Sequence, residues 1–198
     1  YLLTPAEGIQ ILDATNPSNL QLRGELHLPV QYSYIEVFDS MLFVPSVYGY
    51  LFVINAKDPD APFIMTQYEN GSLFLDDVMG FTASLDSTDQ LVYISSYLAN
   101  TPLYTVRVSD FLWPVLEDTY WGALAGLPPY GGKLIRSGDY LYAWGHRPGP
   151  LYEIKVMDIS NRESPVYACS IRVDVDLTNF AVEGNRLYAC KGSTVRTY

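Results

Sequence analysis

One phrase returns along this chain. An alternating apolar run ends in an aspartate or asparagine, small polar residues follow, and a proline closes the set. It reads "GIQILDATNP" over Gly8–Pro17, "YLFVINAKDPDAP" over Tyr50–Pro62 and "YEIKVMDISNRESP" over Tyr152–Pro165. A phrase that recurs along one chain implies a structural unit that recurs with it, so the repeat comes before any other reading. An apolar–aromatic segment opens each unit: "YLLT", "LFVPS", "LVYISS", "LYAWG" and "LYACKG". The aromatic anchors Tyr1, Phe43, Tyr93, Tyr142 and Tyr188 are 42, 50, 49 and 46 residues apart.

Within each period four strands are expected. The opening segment is followed by the alternating run, whose period of two suits a strand buried through alternate side chains. Asp13, Asn55 and Asp158 mark its end, because such side chains bond their own neighbouring backbone and begin a turn. Proline then denies the ladder a donor where pairing should stop. A third strand ("LQLRGELHL", "FIMTQYE", "VLEDTYW", "VYACSIRV") leads through a longer connection to a fourth ("YSYIEVF", "GFTASL", "GKLIRS", "NFAVEG"). Tight turns "FDSM", "DSTDQ", "SGDY" and "EGNR" return to the next opening segment. No run of ten or more residues has helical periodicity. Four-stranded antiparallel units at this period indicate an all-β chain folded as a β-propeller, with a sandwich as the alternative.

Strand counting predicts three strands, three sets of four, and three more. Residues 1–198 then form a single propeller region, partial at both ends, with about four to five blades of a larger propeller. Unpaired strands at both ends predict self-association through open edges.

The phrase "GIQILDATNPSNL", preceded by "YLLTPAE", resembles the LVIVD repeat of bacterial and archaeal surface or secreted β-propellers. The second unit has Asn55 at the Asp position, the fourth keeps "VMDISNRESP", and the third departs most, with Arg107 there. The resemblance implies a propeller of an exported protein and no shared activity.

The formal charge of −10 disfavours nucleic acid and anionic lipid as partners, and no apolar run is long enough to span a bilayer. Cys169 and Cys190 make no disulfide framework or metal pattern; one bridge, or two buried thiols on neighbouring strands, would suit them. The common catalytic signatures are absent, so no catalytic residue is assigned. His27 is expected to pack or bond near a strand end.

The loops joining opening and second strands, and those leading to the fourth, should emerge on one face. That face would carry Tyr48, Tyr50, Tyr97, Trp121, Tyr130, His146 and Arg147, a mixture of aromatic and polar groups suited to a protein or glycan partner. The acidic pairs Asp76–Asp77 and Asp174–Asp176 occupy the same stage of two repeats. A solvated rim is their expected role; Ca2+ is the cation such oxygens would take, and no other cofactor is implied. The opposite face, with Asp39 and Asp139, should be indifferent to binding. The expected function is a non-catalytic binding or scaffold module at the cell surface or outside the cell. The alternative is a propeller attached to a secreted hydrolase whose catalytic residues lie outside this chain.

Overall fold

The structure is a computed structural model that describes residues 1–4, 8–29, 34–46, 50–69, 82–86, 89–95, 103–120, 130–146, 152–162, 164–173, 177 and 179–198. Among these residues there are eighteen strands and no helix, hence no helix long and apolar enough to cross a membrane. The strands form five sheets, each built from consecutive antiparallel strands. The first holds β1 (Leu2–Thr4), β2 (Gly8–Asp13) and β3 (Gln21–Leu26). The second holds β4 (Glu36–Phe38), β5 (Met41–Pro45), β6 (Tyr50–Asn55) and β7 (Phe63–Glu69). The third runs from β8 (Thr82–Asp86) and β9 (Leu91–Ser95) to β10 (Leu103–Arg107) and β11 (Val115–Tyr120). In the fourth are β12 (Tyr130–Ser137), β13 (Tyr140–His146), β14 (Tyr152–Asp158) and β15 (Val166–Val173). The fifth holds β16 (Asn179–Glu183), β17 (Arg186–Lys191) and β18 (Thr194–Thr197). Three, four, four, four and three is the strand count expected from the sequence.

The sheets stack in chain order, with a separate core between each successive pair. Strand alternation makes this arrangement possible. In β5, Leu42 and Val44 face the first sheet, whereas Met41 and Phe43 face the third. Likewise Phe52 and Ile54 of β6 point one way and Leu51 and Val53 the other. β5 and β6 are therefore apolar on both faces and read as near-continuous hydrophobic runs. The third and fourth sheets meet through Tyr93, Leu103, Leu134, Leu141 and Met157. The fourth and fifth meet through Trp144, Ile154, Phe180 and Leu187. The first strands of the second to fifth sheets lie side by side, β4 against β8, β8 against β12, and β12 against β16. They form a common inner rim. This is the blade arrangement of a β-propeller, with the fourth strand of each sequence period innermost.

The repeated phrase has a repeated geometry. The Oδ1 atoms of Asp13, Asn55 and Asp158 accept from the backbone N–H two residues on, at 2.9, 2.9 and 2.8 Å. A further turn follows in four blades: the N–H of Asn19, Ala61, Trp113 and Ser164 donates to the carbonyl three residues earlier. In the third blade, where Arg107 replaces the acid, Asp110 takes over and accepts from Leu112 N at 2.9 Å. Just before each of these turns the pairing with the outer strand slips by one residue. The additional residue is Arg23, Met65, Glu117 or Ala168, so one bulge is conserved in position across four blades.

The tight hairpins behave as their residues demand. Asp39, Gln90, Gly138 and Gly184 have φ of 55, 53, 60 and 57°. These left-handed positions let a short turn follow the twist of its strands.

Two expectations need revision. Cys169 is exposed on β15 and Cys190 half-buried on β17, in different sheets, and no disulfide joins them. His27 is exposed just past β3 rather than packed. Asp139 lies in the tight turn expected of it and also accepts from Arg162 Nη2 at 3.3 Å, within a network between two blades.

Candidate functional site

Because each sheet runs up and down, its hairpin and proline turns share one side, and the remaining connections leave from the other. The strand ends of that second side carry the sequence-predicted residues. Tyr48, Tyr97, Trp121, Arg147, Asp76, Asp77, Asp174 and Asp176 lie outside the described residues. Tyr50 begins β6, and its half-buried ring tilts against Phe52 at 6.2 Å between centroids, packed on the core between the first two blades. Its backbone is bound to Ser46, whose Oγ accepts from Tyr50 N at 3.0 Å. Tyr130 and His146 are register partners at the ends of β12 and β13, so the backbone brings these two together. The pairing slips between Tyr130 and Lys133, which places "YGGK" in an irregularity at the start of β12. Among the described residues no group of three or more His, Cys, Asp and Glu side chains could hold a metal ion.

Polar groups also gather on the inner rim, away from the tight turns. Glu36 stands on β4 between Tyr34 and Phe38 on the same strand face, and both of those aromatics pack on the core between the second and third blades. Tyr34 donates its hydroxyl to the Glu36 carboxyl. Burial pushes the Glu36 carboxyl up to about 7, with the Tyr34 bond and the charge of Lys133 opposing that shift. Tyr34 itself is pushed up to about 12, first by burial and then by the carboxylate beside it.

Lys133 belongs to β12, two blades further on, and faces the fifth sheet. Its ammonium donates to Asn179 Oδ1 at 2.7 Å and to the Phe180 carbonyl at 3.0 Å. It also lies 5.7 Å from the centre of the Phe180 ring. Partial burial lowers its pKa, with Cys190 and Glu36 acting in the opposite sense. Cross-strand from Lys133, the indole of Trp144 is buried, and its Nε1 finds no hydrogen-bond partner among the described residues. The rim thus offers a carboxyl, an ammonium, a phenol and an amide, contributed by three blades.

The turn side carries a second ionic cluster. Asp86, fully buried at the end of β8, has Arg136 Nε and Arg162 Nε each at 2.9 Å from Oδ2. Arg162, in the turn after β14, reaches Asp89 at 3.0 Å and Asp139 at 3.3 Å. Burial works against the Arg162 charge, yet Asp86 and its other acidic neighbours hold the pKa above its ordinary value. The Tyr93 hydroxyl nearby is pushed up to about 12, chiefly by burial. This cluster ties the third blade to the fourth, with two arginines set among three aspartates.

Sequence reasoning missed Glu36 and Lys133. Their signal was a charged residue within an apolar inner strand, "YIEVF" and "GGKLIR", where alternation alone would place a hydrophobe.

No family model matches this sequence, and no curated protein sequence matches it. Among solved structures the chain is similar to BamB from Moraxella catarrhalis, at 19% identity and a TM-score of 0.49, over 82% of this chain and 41% of that one. It is also similar to a functionally unknown protein from Desulfotomaculum acetoxidans, at 10% identity and a TM-score of 0.49, over 89% of this chain and 68% of that one. The chain therefore spans 41% of the length of BamB.

Proposed function

We propose that this chain is a non-catalytic β-propeller module that recognises a protein or glycan partner and requires no cofactor. The observation that carries this reading is the difference between its two sides. On one, short turns repeat with the same hydrogen bonds from blade to blade, which makes a rigid base. On the other lie the strand ends that flank residues 70–81, 96–102 and 121–129, connections long enough to differ between blades. Stacked blades holding variable connections suit binding, and no described cluster has the make-up of a nucleophile with its base. The likeness of "GIQILDATNPSNL" to the LVIVD repeat supports an exported or cell-surface setting.

The purified chain should bind members of a glycan or peptide array without turning over ester, glycoside or peptide substrates. Trp121→Ala and Tyr97→Ala should weaken that binding at least about tenfold, since truncated aromatic anchors commonly cost about 2 kcal/mol. Lys57→Ala, an exposed change on the turn side, should leave it intact. Hydrolytic turnover by the chain itself, or binding that follows Lys57 and ignores both aromatics, would overturn the reading.

A further inference from the structure

The third blade breaks the repeat at the tip of its proline turn. Four blades share this turn: the N–H of Asn19, Ala61, Trp113 and Ser164 donates to the carbonyl three residues earlier, at 3.0, 3.2, 3.1 and 3.1 Å. Asn16, Asp58 and Asp110 also accept from the N–H two residues on, at 3.1, 3.1 and 2.9 Å. The backbone is the same, yet the outward side chains differ. Where the other blades have Asn19, Ala61 and Ser164, the third has Trp113. Where the first two have Ser18 and Asp60, it has Leu112. Trp113 is 75% exposed and Leu112 50%. The fold requires neither, because the same bonds form around small and polar residues elsewhere. Nor does the turn stand loose. Phe111 packs on the core between the second and third blades, its ring centre 6.2 Å from that of Phe43. A single exposed apolar residue is ordinary. An adjoining leucine and tryptophan on a braced tip, where the repeat has small or polar residues, call for a partner.

Charge decides which partner. Asp110 opens the turn that Trp113 closes, and the bond between them holds their Cα atoms within the ~7 Å span of a β-turn. Arg107, the nearest base in the sequence, is paired with Glu117. Asp110 forms no ion pair among the described residues, and its Oδ1 accepts only the turn's own bond from Leu112. A guanidinium or ammonium is the group that both an indole face and a carboxylate attract. A second copy of this chain, also at −10, would be repelled, and so would anionic lipid. A sugar site converges several polar groups, whereas this tip offers one polar side chain. We propose that the Asp110–Trp113 turn docks a basic protein segment, whose arginine or lysine covers Trp113 and bonds Asp110 while a neighbouring aliphatic side chain packs on Leu112. This surface goes beyond the binding module proposed above. It lies on the side of the short turns, where no binding was expected, and it is held ready by Phe111 before any partner arrives.

A phage-displayed random peptide library, selected in parallel on the wild-type chain and on the double variant Leu112→Ser/Trp113→Asn, provides the test. The variant takes the residues of the first blade's turn, Ser18 and Asn19, so its melting temperature should stay within about 2 °C of wild type. Wild type should select sequences in which arginine or lysine adjoins an aliphatic residue, and the variant should not. A synthetic peptide of that kind should bind wild type at least about tenfold more tightly than the variant. It should also shift the tryptophan emission to the blue and weaken as salt rises. Asp110→Asn, which matches Asn16 and keeps an acceptor for the turn, should weaken the peptide about threefold. Trp121→Ala should leave it bound. Selection of the same peptides by wild type and variant, or of peptides without a basic preference, would overturn the inference. A melting temperature lower by more than about 4 °C in the double variant would do so too, since Leu112 and Trp113 would then be holding the fold. So would binding to phosphatidylcholine vesicles, or a wild-type dimer in sedimentation, that the variant abolishes; the occupant would then be lipid or a second copy.

Discussion

A carboxylate held between two guanidinium groups, as Asp86 is, has its desolvation offset only while its partners remain. Asp86→Asn would leave Arg136 and Arg162 facing each other at a buried position. Breaking a buried pair from one side costs about 3–5 kcal/mol. For a chain of this size the melting temperature should fall by roughly 10 °C, and a scanning calorimeter would read it. A fall of less than about 2 °C would mean that Asp86 does not hold the two blades together. Glu36 makes the opposite kind of prediction, on pH. Its carboxyl is raised from 4.5 unfolded to about 7 folded, so the native chain keeps a proton that the unfolded chain releases. Its contribution to stability is therefore full below about pH 4.5 and is lost as pH rises through about 7. Glu36→Gln should flatten that part of the stability profile, so the melting temperatures at pH 5 and pH 8 should converge relative to wild type. An unchanged gap would show that burial does not hold the Glu36 proton.

At the scale of elements, blades join where one strand runs beneath the next blade's turn. Gly24 of β3 is such a place: a Cβ there would stand 2.2 Å from the Pro59 carbonyl oxygen and 3.0 Å from Pro62 Cδ. Arg23 beside it donates from Nε and Nη2 to the two Asp60 carboxylate oxygens, each at 2.7 Å, which fixes the same junction by charge. Gly24→Ala must push the first two blades apart, and overpacking of this kind costs about 1–3 kcal/mol. A urea midpoint unchanged from wild type would refute the junction. Much of this level was legible in the sequence. Asp13, Asn55 and Asp158 act through bonds two residues long, so local chemistry was enough to place their turns. The strand succession followed from the alternating runs for the same reason. The bulge at Arg23 and the fit of Gly24 under Pro59 were not legible, because both depend on a neighbouring strand or blade. The partners of Lys133 were hidden likewise, since nothing local to it says that Asn179 and Phe180 of the next blade will accept its bonds. The residues singled out from sequence were loop aromatics and acids, and most lie outside the described residues.

Across the whole molecule, stability is built from contacts between nearest neighbours. Each core lies between successive sheets, and the middle strands of the second sheet, β5 and β6, are apolar on both faces. Such an array should open unevenly, because a strand buried on two sides unfolds only when two interfaces part. β5 is buried at every position, and β6, β9 and β10 are buried through most of their described lengths. β18, in contrast, is exposed at every position, with Val195 at 60%. It is held by its pairing with β17 and by the two bonds between Leu187 and Tyr198, at 3.1 and 2.8 Å. Amide hydrogen exchange should therefore be slowest in β5, β6, β9 and β10 and fastest, among the paired amides, in β18. Phe43→Ala, which empties a fully buried site between the second and third blades, should cost about 3–5 kcal/mol. It should speed exchange in β5, β6, β9 and β10 together while leaving β18 at its already rapid rate. Equal protection of β18 and β6 would contradict the nearest-neighbour account. So would a Phe43→Ala effect confined to its own sheet, because Phe43 packs on the third sheet as well as on its own.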